Sequence, residues 1–150
     1  MSDHYLRFIS TDPHYAPTAA AAEEARLFLA TLVPDADEVV AAISDEIEFV
    51  DQGANFERVL CPRCGTEVDE GWWGEEVDRA SASAFSGLDV ITPCCGSALS
   101  LNDLEYVWPA GFARFVLEAL NPNLSDLGQR DVAALSALLG TPLRRIWAHY

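Results

Sequence analysis

Four cysteines arranged as two tight pairs constrain this chain more than any other feature. Cys61-Pro62-Arg63-Cys64-Gly65 sets two thiols with two residues between them, and Thr92-Pro93-Cys94-Cys95-Gly96 repeats that pattern at Pro, Cys and Gly in the same register. Two cysteines spaced in this way can place both sulfurs on one ion, while backbone N–H groups of the tight turn donate to the thiolates. The glycine after the second cysteine suits a left-handed conformation that a side chain would strain. The second pair departs from the first. Thr92 stands where its leading cysteine is expected, and the extra thiol is Cys94, directly before Cys95. The reading is one zinc ion held by Cys61, Cys64, Cys94 and Cys95; the alternative is three of these with Asp89 or a histidine as the fourth ligand.

Four thiolates close a zinc site to water and substrate, so the ion would be structural. Structural zinc in small peptides contributes about 10 to 16 kcal/mol, comparable to the roughly 5 to 15 kcal/mol that stabilises a whole domain. The segment around the ion should therefore collapse without it. Arg58, Arg63 and Arg79 are the nearby candidates to offset the thiolate charge. The rival chemistry is thiol–disulfide exchange, but the thioredoxin type of C-x-x-C follows a strand and begins a helix. Pro62 and Gly65 favour a knuckle turn instead.

The first pair resembles the knuckle of zinc-ribbon proteins. The chain also resembles, over most of its length, an uncharacterised group of small bacterial proteins with CPxCG and PCCG motifs and an IWAHY-like ending. That resemblance implies a zinc-ribbon-like segment and brings no known activity.

Apolar periodicity sets the rest of the organisation. Tyr5–Ile9 alternates as a first strand, and Ala25, Phe28, Leu29, Leu32 and Val33 recur at helical spacing up to Pro34. Asp35 with Glu38 three residues on imitates a capping box, which predicts a second short helical segment over DADEVVAAI. Ile47–Val50 and Phe56–Leu60 flank the turn-forming Asp-Gln-Gly-Ala-Asn and read as a hairpin. Residues 61–107 read as an insertion. It holds both cysteine pairs, a helix in which Trp73, Val77, Ala80 and Ala84 share a face and which Gly87 ends, and a strand over Leu88–Thr92. Ala113, Phe115, Leu117 and Ala119 alternate as a strand, Asn121-Pro122-Asn123 reads as a turn, Asp126–Leu139 as a helix closed by Gly140, and Leu143–Tyr150 as a last strand. The predicted fold is one α+β domain over 1–150, a ferredoxin-like split βαβ sheet whose middle loop is replaced by the zinc-ribbon-like insertion.

Composition excludes several functions. Half the 150 residues are hydrophobic, too many for a disordered chain. Nine basic residues, all arginine, face 24 acidic ones for a net charge of −15. Residues 1–60 hold 12 acidic and 3 basic groups, 61–107 hold 9 and 2, and 108–150 hold 3 and 4. Nucleic acid and anionic membranes would both be repelled, since binding either rests on Lys and Arg neutralising phosphate. No apolar stretch follows the N-terminus, and the most apolar helical run, Ala25–Val33, is far shorter than a membrane span. The expected location is the cytoplasm, where thiols stay reduced and paired cysteines are better explained by metal than by disulfides.

Two acidic stretches follow, Asp35 to Asp51 and Glu67 to Asp78, and the second encloses Trp72 and Trp73 between Gly71 and Gly74. A solvated surface accounts for such runs; the functional reading is a binding face for a basic protein, built on Glu70, Trp72, Trp73, Glu75 and Glu76. The chain would then be a small acidic interaction module such as an inhibitor, immunity protein or adaptor. The alternative is an enzyme with a pocket near Asp12, His14 and Tyr15, although no nucleophile accompanies them and no Walker loop, G-x-S-x-G, H-E-x-x-H or dinucleotide fingerprint occurs. If the topology holds, the first and last strands are antiparallel neighbours, and His4 approaches His149.

Overall fold

The alternation at the N-terminus forms strand β1, His4–Ser10, in the computed structural model, which describes residues 2–150. Helix α1, Ala19–Leu32, begins where the Thr18 hydroxyl accepts from the Ala21 N–H, which satisfies one free donor of the first turn. The chain continues through β2 (Glu38–Val50), β3 (Arg58–Leu60), α2 (Glu70–Ser81), β4 (Asp89–Ile91), β5 (Ala98–Ser100), a 3-10 turn (Leu101–Asp103) and β6 (Glu105–Val107). It ends with β7 (Gly111–Leu120), α3 (Gln129–Leu139) and β8 (Leu143–His149). Among the described residues the architecture is α+β, with three α-helices and antiparallel sheets.

The main sheet has the order β2-β7-β1-β8, and each neighbouring pair is antiparallel. Alternation decides which face is buried. Leu6 and Phe8 of β1 and Phe115, Leu117 and Ala119 of β7 meet Ala25 and Leu29 of α1 and Leu135 and Leu139 of α3 in one core. Each fully buried Leu or Phe contributes about 1.5 to 3 kcal/mol relative to exposure. Helix α3 stops at Gly140, whose φ of 75° closes the last turn through its N–H to the Ser136 carbonyl.

A second core lies between β2 and β7 in the chain. Val59, Cys61, Val68, Ala80, Leu88, Val90, Leu101 and Tyr106 pack there with Ile47 and Phe112, which belong to the main strands. Two small ladders frame it, β3 with β6 and β4 with β5. A polar junction staples the two parts. Asn102, 3% exposed, accepts the Phe112 N–H at 3.0 Å and donates to the Thr11 carbonyl at 3.1 Å, while Arg144 of β8 reaches the Asn102 side chain and carbonyl and the Ala110 carbonyl. Gly111 makes room: a Cβ there would sit 2.6 Å from the Arg144 guanidinium and 2.8 Å from Ile9.

Four sequence expectations fail here for physical reasons. DADEVVAAI is not helical; its Val and Ile residues join β2, paired to β7 from Glu38↔Leu120 to Ile43↔Phe115. Of the two acids that imitate a helix cap, Glu38 opens β2 and Asp35 accepts from Asn123 at 3.3 Å, while the neighbouring Asp37 accepts from Asn121 at 2.9 Å. The hairpin of 47–50 with 56–60 does not form, since β2 pairs with β7 and β3 with β6. Helix α2 ends at Ser81 rather than at Gly87: Ala84 and Phe85 take positive φ, and Phe85 turns inward onto Phe112. Helix α3 starts at Gln129 behind Gly128, three residues later than Asp126 suggests, because Asp126 pairs with Arg145.

Candidate metal centre

Two short turns carry the cysteines, and their backbones are copies of each other. In the first, the Cys61 N–H donates to the Thr66 carbonyl at 2.9 Å and the Gly65 N–H to the Cys61 carbonyl at 2.8 Å. In the second, the Thr92 N–H donates to the Ser97 carbonyl at 3.0 Å and the Gly96 N–H to the Thr92 carbonyl at 2.9 Å. Gly65 and Gly96 both take the left-handed conformation, at φ 73° and 69°. The repeat seen in the sequence is therefore a repeat of structure, with Thr92 at the place of Cys61.

The four sulfurs converge, all lying within 4.8 Å of one another, and no disulfide joins them. Cys61 and Cys95 are 3.8 Å apart, and Cys64 and Cys94 are 3.4 Å apart. Four ligands at about 2.3 Å on a tetrahedral ion would stand about 3.8 Å apart, so this cluster can hold a metal ion. Asp89 and the histidines stand outside it. Thr92, 1% exposed, accepts the Ser97 N–H at 3.1 Å and rests 3.6 Å from Cys95 Sγ. It supports a ligand from the position where a ligand was expected, and Cys94, at the place of Arg63, supplies the thiol.

The hydroxyls set the acidity of the sulfurs. Ser97, 3.1 Å from Cys95 Sγ, and then Thr92 stabilise that thiolate and bring its pKa down to about 6. Cys64 is also lowered, by the Thr66 hydroxyl and backbone. Cys94 moves the other way, to about 11, because its sulfur loses water facing the cluster and competes with Cys64 and Cys61. Of the arginines considered as charge partners, Arg79 is engaged elsewhere, with Glu76 at 2.8 Å and the Asp89 carbonyl. Neither cysteine pair opens a helix, so the dipole that activates thioredoxin-type thiols is missing.

The other candidate residues are dispersed or structural. Glu70 and Glu75 are exposed on α2, whereas Glu76 pairs with Arg79. Trp72 and Trp73 are half-buried against the second core. Trp73 stacks on Phe56 with ring centroids 5.6 Å apart, meets Phe49 of β2 edge-on and donates to the Tyr106 hydroxyl at 3.2 Å. It ties this core to the main sheet rather than standing free as an anchor. Asp12, His14 and Tyr15 share a turn: Asp12 accepts the His14 N–H, and Tyr15 donates to the Leu139 carbonyl at 2.5 Å. A groove of about 860 Å³ lies around His4, His149, Trp108 and Trp147, a feature that only their folding together creates. His4 and His149 do face each other, directly in register.

Fold and site together define an α+β protein with a four-cysteine cluster able to hold one metal ion. Comparison with protein families, curated proteins and solved structures finds no match for this chain. Among the described residues, no helix is long and apolar enough to cross a membrane.

Proposed function

We propose that this chain is a zinc-stabilised interaction module that binds a basic protein, acting as an inhibitor, immunity protein or adaptor. The observation that carries the reading is the pairing of a closed thiolate cluster with a strongly acidic surface. Sulfur spacings of 3.4 and 3.8 Å suit a tetrahedral ion, and soft thiolates select zinc among common divalent metals. Four protein ligands leave no open position for substrate, so the ion acts as a clasp on the second core. The strand order β2-β7-β1-β8, with α1 and α3 over one core, supports a ferredoxin-like split βαβ sheet, and the two knuckles between β2 and β7 support a zinc-ribbon-like insertion over 61–107.

The proposed contact surface is the exposed part of α2, with Glu70 at its N-terminal end, Glu75 a turn and a half on, Glu76 paired to Arg79, and Trp72 and Trp73 half-buried beneath. An excess of negative charge there would steer a basic partner and fix its orientation. The test is capture from a host lysate by wild-type protein and by the E70K/E75K variant, which leaves the Glu76–Arg79 pair intact. Wild type should retain a basic protein in a salt-dependent manner, and the variant should lose most of it. Equal capture by both removes this surface from the function.

A further inference from the structure

We propose that His4 and His149 form a second, open metal site for an imidazole-preferring divalent ion such as zinc. Strands β1 and β8 place the two residues directly opposite each other, and their Nδ1 atoms are 3.2 Å apart, with ring centroids at 4.3 Å. Two nitrogens bound at 2.0 to 2.1 Å to one tetrahedral ion stand about 3.3 Å apart. The rings already hold that separation. Their backbones are fixed on both sides: the His4 N–H donates to the Asn121 side chain at 2.9 Å, the His4 carbonyl accepts from the Asn121 N–H at 2.7 Å, and the His149 carbonyl accepts from the Ala54 N–H at 2.7 Å.

Each ring has the other as its hydrogen-bond partner, so without metal one Nδ1 carries the hydrogen and the other accepts it. With the hydrogen moved to Nε2 of its own ring, both Nδ1 lone pairs are free for a divalent ion. Imidazole suits zinc, copper and nickel. The carboxylates of Asp3 and Asp37, both accepting from Asn121, add negative charge behind the strand end. Two protein ligands leave coordination positions unfilled, and these face the 860 Å³ groove, where Trp108 presents a ring on a residue 44% exposed. Water, or the oxygen of a small molecule lying in the groove, would complete the coordination. The site shares no residue with the cysteine cluster.

Cobalt(II) is the probe, added to the 150-residue chain already given one equivalent of zinc, which the thiolates take first. Its paramagnetism broadens NMR signals close to the bound ion. Broadening should begin at His4 and His149 at substoichiometric cobalt, while Gly65, Gly96 and His14 stay sharp. H4Q and H149Q should each weaken cobalt binding more than about tenfold, with amide spectra otherwise superimposable on wild type. Broadening that starts at the knuckles or at His14 overturns the proposal. So does binding that depends on His4 but is unchanged in H149Q, which would mark a chelate using His4 alone.

Discussion

Replacing Asn102 by alanine should destabilise the protein by about 2 to 4 kcal/mol, because this side chain joins the second core to β7 and to the loop after β1. Its carbonyl oxygen accepts the N–H of Phe112, a residue 0% exposed, and its amide donates to the Thr11 carbonyl. In N102A the Phe112 donor stays buried with no acceptor, which costs about 1 to 3 kcal/mol. The Thr11 carbonyl lies in an exposed residue that water can reach, so its loss is about 0.5 to 1.5 kcal/mol, the net worth of one hydrogen bond. Arg144 keeps the Ala110 and Asn102 main-chain carbonyls and loses little. For a chain of this size, roughly 2 to 4 °C of Tm per kcal/mol gives a fall of about 5 to 15 °C. Urea denaturation and hydrogen exchange at the Phe112 amide measure the two halves of the argument. N102D should restore most of the amide protection, since it returns the acceptor. A loss under about 1 kcal/mol in N102A, with Phe112 protection intact, refutes the junction as described.

Chelation should strip the metal held by the cysteines and loosen the second core, read as a shift of Trp73 fluorescence, because its stacking on Phe56 depends on the fold around the knuckles; C64S and C95S should each lose the tightly held equivalent that wild type retains through gel filtration, by metal analysis. Metal binding at pH 7 should release clearly fewer than four protons per ion, measured by calorimetry in buffers of different ionisation enthalpy. Cys95, at about 6, has already lost its proton there, whereas Cys94, at about 11, gives one up. The sign is fixed by the raised group: affinity increases with pH as long as Cys94 remains protonated without metal. Y15F should cost about 1 kcal/mol in urea denaturation through loss of the bond to the Leu139 carbonyl, and capture of a basic partner should be unchanged.

What was legible in the sequence was local. The knuckles were readable because two cysteines, a proline and a glycine define a turn by their own geometry, and β1, α1, β7 and β8 were readable because alternation or helical spacing reports which side is buried. Tertiary structure decided the rest. Asp35 and Glu38 are spaced for a helix cap, yet β7 offers residues 38–43 a ladder of backbone partners, and Asn123 takes up Asp35. Gln52–Asn55 turns across the end of β8 instead of closing a hairpin, as the Ala54 bond to His149 requires. Thr92 looked like a lost ligand in one dimension; in three it is the buried hydroxyl that supports Cys95, while Cys94 reaches the cluster from the apex of the turn. The Asn102, Gly111 and Arg144 junction left no trace in periodicity, since each residue is an ordinary polar or small one until β8 and the insertion meet. A chain can encode a turn within five residues, but the partners that satisfy a buried N–H or fill an open edge come from elsewhere in the fold.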